Sequence, residues 1–114
     1  MIPTAREARA RTTVPVFAAL GDETRQAIVS RLTAGGHVSI ARLTAGMSVS
    51  RQAVTKHLHV LARAGLARSV HRGRESLWRL EPRRLSDARR YLDLISRQWD
   101  AALHRLKKTV EDEG

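Results

Sequence analysis

The 114-residue chain has no cysteine, which excludes disulfides, thiolate metal cages and a cysteine nucleophile. No apolar run approaches the length needed to cross a membrane. There is no glycine-rich phosphate loop, no internal repeat, no low-complexity tract and no linker that would divide the chain. No Ser–His–Asp set is suggested, and most acidic residues are scattered or sit beside arginines, so the sequence does not read as an enzyme. Residues 1–13 carry Arg6, Arg9 and Arg11 without an apolar segment. They do not read as a secretory signal and are expected to form a flexible basic arm. These absences fit a cytoplasmic protein of one domain.

What is abundant is positive charge. Lysine and arginine number 21 against 11 acidic residues, giving a formal net charge of +10 and a pI of about 11.6. With 42% hydrophobic residues the chain can still bury a core. A basic excess of this size favours a polyanionic partner, nucleic acid ahead of a membrane surface. Its placement sharpens that reading. Between Arg51 and Arg84 nine basic residues face two acidic ones, seven of the ten net charges in under a third of the sequence.

The same region contains the most informative segment, Ser50 to Leu66. Val54, Leu58 and Leu61 fall on one face of a helical wheel, flanked by Ala53 and Ala64. Gln52, Thr55, Lys56, His59 and Arg63 fall on the other, with Arg51 at the edge and His57 on the apolar side. Ser50 is a suitable N-cap and Gly65 a suitable left-handed stop. An apolar back with a front of amide, hydroxyl and cationic groups suits a DNA major groove, where base edges and phosphates require such donors and acceptors.

Upstream, Pro15 is expected to open a short helix through Leu20 that ends at Gly21. Asp22 caps a second helix from Thr24 to about Thr33, with Ala27, Ile28 and Leu32 at helical spacing. Gly35-Gly36 breaks the chain. Ser39 caps a third short helix with Ile40, Leu43 and Met47 inward, and residues 46–49 form a tight link to the basic helix. Two short helices so joined make a helix-turn-helix. Downstream, residues 67–72 and 75–80 flank Gly73-Arg74 as a β-hairpin with Val70, Trp78 and Leu80 at strand spacing. Its exposed tip carries Arg72 and Arg74, placed to reach phosphates or the minor groove. The predicted fold class is therefore mainly α with a β-hairpin wing, a winged helix-turn-helix with a long C-terminal helix.

That last helix is predicted from Leu85 to Val110. Leu85, Ala88, Leu92, Ile95, Trp99, Ala102, Leu106 and Val110 recur at steps of three and four, a heptad-like seam longer than so small a domain needs to cover. Self-association through Leu92, Ile95, Trp99 and Leu106 is the expected use. Asp87 with Arg90, and Asp93 with Arg97, are spaced to pair along the outside. Residues 111–114 form an acidic tail at the unfavourable end of the helix dipole and are expected to fray. The domain proper spans 14–110.

Phe17-Ala18-Ala19-Leu20-Gly21-Asp22-Glu23-Thr24-Arg25 resembles the opening signature of the ArsR-type winged-helix repressors. Ser50 to Leu58, with Leu61 and Ala64-Gly65-Leu66, is similar to their recognition helix, and Arg72-Gly73-Arg74 with Trp78-Arg79-Leu80 to their wing. Trp99-Asp100 with Leu103 and Leu106 resembles the branch containing metal-independent autorepressors. The resemblance implies a homodimer built from the first and last helices, which adds Phe17 to the interface, and a recognition helix in each half of an imperfect palindrome. It implies DNA contact by Arg51, Gln52, Thr55 and Lys56. With the wheel and the wing, the expected DNA-facing set is Ser50, Arg51, Gln52, Thr55, Lys56, His59, Arg72 and Arg74. The metal-sensing members place paired thiolates in the third helix, where this chain has residues 37–43 without cysteine. Asp100 and His104 lie four apart, one pair where zinc needs about four ligands, so they read as a solvated surface pair and no cofactor is expected. The alternative function is a winged-helix protein-interaction module without sequence-specific DNA binding.

Overall fold

A computed structural model describes residues 2–113. The elements are α1 (Ala5–Leu20), α2 (Glu23–Gly35), β1 (Val38–Ser39), α3 (Ile40–Thr44), α4 (Arg51–Arg63), β2 (Ala67–Arg72), β3 (Glu75–Leu80) and α5 (Pro82–Glu113). The chain is mainly helical, with a three-stranded antiparallel sheet in the order β1-β3-β2.

Residues 5–13 of the segment expected as an arm belong to α1, and Met1 lies outside the described residues. Thr4 caps the helix, accepting from the Glu7 amide at 3.2 Å while the Glu7 carboxylate accepts from the Thr4 amide at 3.2 Å. This reciprocal pair satisfies two of the donors a helix start leaves free. Pro15 therefore sits inside the helix and not at its start. Its ring removes one backbone donor from the ladder. Thr13, two residues before it, is buried and donates to the Arg9 carbonyl at 2.8 Å.

Side-chain caps start the next three helices. Asp22 accepts from the Arg25 amide at 2.9 Å, Ser39 from Arg42 at 3.2 Å and Ser50 from Ala53 at 3.1 Å. α4 ends in a Schellman motif. The Leu66 amide reaches the Leu61 carbonyl at 2.9 Å and the Gly65 amide the Ala62 carbonyl at 3.0 Å. Gly65 takes φ +80, and a Cβ there would lie 2.6 Å from Cγ of Arg84. The stop is thus set by backbone hand and by the close passage of α5.

One core unites these elements. Val16, Ile28, Leu32, Leu43, Val54, Leu58, Leu61, Leu66 and Trp78 are buried in a single cluster. β1 was not foreseen in the sequence. It pairs with β3 through Val38–Trp78 and Ser39–Leu77, tying the start of α3 to the hairpin. β2 and β3 pair from Ala67–Leu80 to Arg72–Glu75. Gly73 opens the two-residue turn at φ +62, the position where a type II′ hairpin wants glycine.

α5 runs three residues further at each end than its periodicity suggested. Pro82 occupies its first position, where the missing N–H costs nothing. Glu111–Glu113, the segment expected to fray, continue the helix; Gly114 lies outside the described residues. Asp87 meets Arg84 at 3.6 Å instead of Arg90, and among the described residues Asp93 makes no ion pair. From Ser96 onward every described residue of α5 is exposed.

Candidate nucleic-acid interface

The surface around α4 is built by holding one face of that helix rigidly. Val54, Leu58 and Leu61 are each fully buried. A helix whose back is fixed by close packing presents its front at a defined angle. On that front Arg51, Gln52, Lys56, His59 and Arg63 are exposed, and Thr55 is half-buried. The Thr55 hydroxyl donates to the Arg51 carbonyl at 2.8 Å, so its proton is committed within the helix.

His57 lies off this front, as its wheel position indicates. Its Nδ1 stands 3.2 Å from Nη1 of Arg25 and 3.9 Å from Oδ2 of Asp22. A guanidinium only donates, so Nδ1 accepts and the ring proton sits on Nε2. Arg25 also donates through Nε to the Ala19 carbonyl at 2.6 Å. One side chain thereby joins the end of α1 to α4. The Asp22 carboxyl lies below the usual carboxylate range, chiefly because the Arg25 amide donates to it, with the Arg25 guanidinium adding attraction against partial desolvation.

Arg31 performs a second positioning task. Its Nη1 donates to the Leu43 carbonyl at 2.8 Å and to that of Ala45, satisfying carbonyls that the short helix α3 leaves unpaired. The turn between α3 and α4 is thus held from α2. Sequence reasoning missed the roles of Arg25 and Arg31. Both lie among the polar residues of an ordinary amphipathic helix, and their partners are carbonyls, which have no sequence signature.

The wing completes the surface. Arg72, Gly73 and Arg74 are exposed at its tip. The His59 ring meets Trp78 edge-on, with centroids 6.0 Å apart, so the last turn of α4 braces against β3. The structure thus brings Gln52, Lys56 and His59 onto one exposed helical face, with Ser50 as its cap, and joins that face to the hairpin carrying Arg72 and Arg74.

The expected interface residues lie apart, along α1 and α5. The Phe17 ring packs on Tyr91 of the same chain at 5.9 Å. An open groove of about 620 Å³ runs beside them, lined by Arg6, Arg9, Phe17, Tyr91 and Ile95. Leu92, Trp99 and Leu106 are 52%, 64% and 61% exposed, and Leu103 and Val110 continue the stripe. Ile95 is half-buried.

Comparison with known proteins matches this geometry. Residues 20–70 match the helix-turn-helix domain family. The chain is 38% identical over 96 residues to the HTH-type transcriptional regulator Rv2034 of Mycobacterium tuberculosis, covering 84% of this chain and 86% of that one. It superposes on an ArsR-like transcriptional regulator from Rhodococcus sp. RHA1 with a TM-score of 0.73 and 39% identity, covering 86% and 92% of the two chains. The fold is shared with the homodimeric winged helix-turn-helix DNA-binding domain Mb0332 from Mycobacterium bovis, at 19% identity and a TM-score of 0.64, over 90% and 93%. No described helix is long and apolar enough to cross a membrane. With the buried back of α4, a basic wing and relatives of this similarity, the chain belongs to the ArsR family of winged helix-turn-helix transcriptional regulators.

Proposed function

We propose that the protein is a homodimeric, sequence-specific repressor that binds an imperfect palindrome. The observation that carries the DNA-reading part is the two-faced α4, fully buried behind and polar in front. Gln52 and Lys56 stand on the outward face and read base edges in the major groove. An amide can bond bidentately to adenine, and an ammonium can donate to guanine. Arg51, Thr55 and the Ser50 end of the helix meet the backbone. His59 serves a phosphate at the junction of helix and wing, and Arg72 and Arg74 hold the flanking backbone.

The dimer reading is supported by the apolar stripe on α5, which stands exposed among the described residues, and the fold is one that the Mycobacterium bovis domain uses as a homodimer. A two-fold dimer presents two α4 helices to successive major-groove segments, so its site is palindromic. A bound dimer occupies DNA that polymerase would otherwise use, and repression is the expected output.

The test is Gln52→Ala, measured by titration on the selected site and on random DNA. The expected loss is about 1–3 kcal/mol on the specific site, with relaxed preference at one base pair and little change on random DNA. Equal loss on both would remove the base-reading role.

A further inference from the structure

α1 and α5 frame a surface that the DNA-facing front does not use. The open groove of about 620 Å³ between them is lined by apolar Val14, Phe17, Leu94 and Ile95 and by the cations Arg6 and Arg9. An adjoining depression of about 450 Å³ shares Arg9, Tyr91 and Leu94 with it and adds Arg90 and Arg97. The four arginines are exposed, and among the described residues none of them makes an ion pair. The acids nearby are engaged elsewhere. The Glu7 carboxylate accepts from the Thr4 amide, and Asp87, which lines the second depression, stands 3.6 Å from Arg84. The hydroxyls of Thr12 and Thr13 both donate to the Arg9 carbonyl, at 2.9 and 2.8 Å. Their protons are spent on the backbone, so the guanidinium groups are the chief donors toward the groove.

We propose that this groove binds an amphipathic carboxylate of the fatty-acid class, with its chain along Phe17, Leu94 and Ile95 and its head at Arg9, the arginine common to both depressions. A guanidinium matches a carboxylate bidentately, and the neighbouring Arg6, Arg90 and Arg97 add to the positive field. The apolar lining removes the chain from water. A mostly apolar wall with a few placed polar groups is the usual make-up of a small-molecule site. The lining also has the length for a chain. Arg6 and Phe17 are eleven residues apart on α1, about 16 Å at 1.5 Å per residue. A compact ring would leave most of that length bare. The inference does not rest on the dimer reading. At 3.6 residues per turn, the groove residues Tyr91, Leu94, Ile95 and Gln98 centre about 100° around α5 from the stripe of Leu92, Trp99, Leu103, Leu106 and Val110. Of the residues expected at the dimer interface, Phe17 and Ile95 line the groove, whereas Leu92, Trp99 and Leu106 do not.

The test is isothermal titration calorimetry of the full chain with sodium decanoate, kept below micelle formation. 1-Decanol and inorganic phosphate serve as probes that each carry only half of the proposed chemistry. Saturable decanoate binding at one site per chain is expected, with decanol and phosphate each weaker by about tenfold or more. Arg9→Gln should weaken decanoate about tenfold, the loss of one charge-assisted contact, and leave decanol unchanged. Arg105→Gln removes the same charge from an exposed part of α5 outside the groove and should change nothing. Ala10→Trp, at an exposed position in the groove lining, should fill the site and abolish binding. Circular dichroism checks that each variant is folded, and the Arg9→Gln and Arg105→Gln comparison decides the matter if Ala10→Trp is not. Absence of saturable decanoate binding would overturn the proposal. So would decanol or phosphate binding as tightly as decanoate, equal effects of Arg9→Gln and Arg105→Gln, or a folded Ala10→Trp that binds as the wild type does.

Discussion

α4 and α5 are both strongly two-faced helices, yet their apolar faces meet opposite fates. In α4, Val54, Leu58 and Leu61 vanish into the protomer. In α5 only Ala88 is buried, while Leu92, Trp99, Leu103, Leu106 and Val110 stay open to solvent. The same sequence signal thus marks two kinds of surface. One is completed by the chain itself, the other is left open by it. The polar faces differ in the reverse sense. That of α4 is uninterrupted by acid from Arg51 to Arg63, and that of α5 alternates in sign. One suits a polyanion; the other fits the dimer proposed above.

The largest expected effect breaks the buried side of the comparison. Leu58→Ala should cost about 2–5 kcal/mol in urea denaturation, because the side chain is fully enclosed and its loss leaves a cavity. A cost under about 1 kcal/mol would mean that α4 is not fixed by this packing.

The exposed side should respond differently. Trp99→Glu should leave the protomer folded, as judged by circular dichroism, because Trp99 is 64% exposed in it and lies outside the buried core. Dimerisation should weaken by about 2 kcal/mol or more, the range for a central tryptophan anchor, and operator binding should fall with it. Loss of helical signal in place of dissociation would assign the seam to the protomer's own stability.

The contrast between the two helices also marks what could be read in advance. Ser50, the Val54–Leu58–Leu61 spacing and Gly65 defined α4 fully, because cap, period and stop agree. The hairpin was legible from its turn glycine, Gly73, and from Val70, Trp78 and Leu80 at strand-like spacing around it. The start of α1 was not read, although Thr4-Ala5-Arg6-Glu7 carries a capping-box spacing. Pro15 masked it, since proline more often opens a helix than sits within one. β1 spans two residues, too few to show a period, and exists only because β3 offers it an edge. The ion partners of Asp87 and Asp93 were misjudged because helical spacing permits several pairings and rotamers choose among them. Within the site, the exposed residues were legible from the wheel. Arg25 and Arg31, which hold α4 and its turn, depend on tertiary contacts that no local pattern encodes.

Smaller effects separate backbone contact from base reading. Arg72→Ala and Arg74→Ala should weaken binding to all sequences alike and reduce the salt slope by about one unit each, if each meets one phosphate. Titrations at several salt concentrations check this; a change confined to the specific site would give the wing a reading role.

The smallest effect expected is none. Operator affinity should be unchanged by micromolar zinc or by chelator, since Asp100 and His104 supply one pair of ligands per chain and no thiolate exists. A zinc-dependent loss of affinity that disappears in His104→Ala would turn α5 into a sensing element.

The central claim is that α4 faces DNA and α5 faces a second copy. Footprinting of the selected operator, combined with the stoichiometry of the complex, tests both at once. The account predicts two protomers per site, with half-site centres about one helical turn apart, roughly 10 base pairs or slightly more. A single protomer bound tightly to one unrepeated half-site would contradict it.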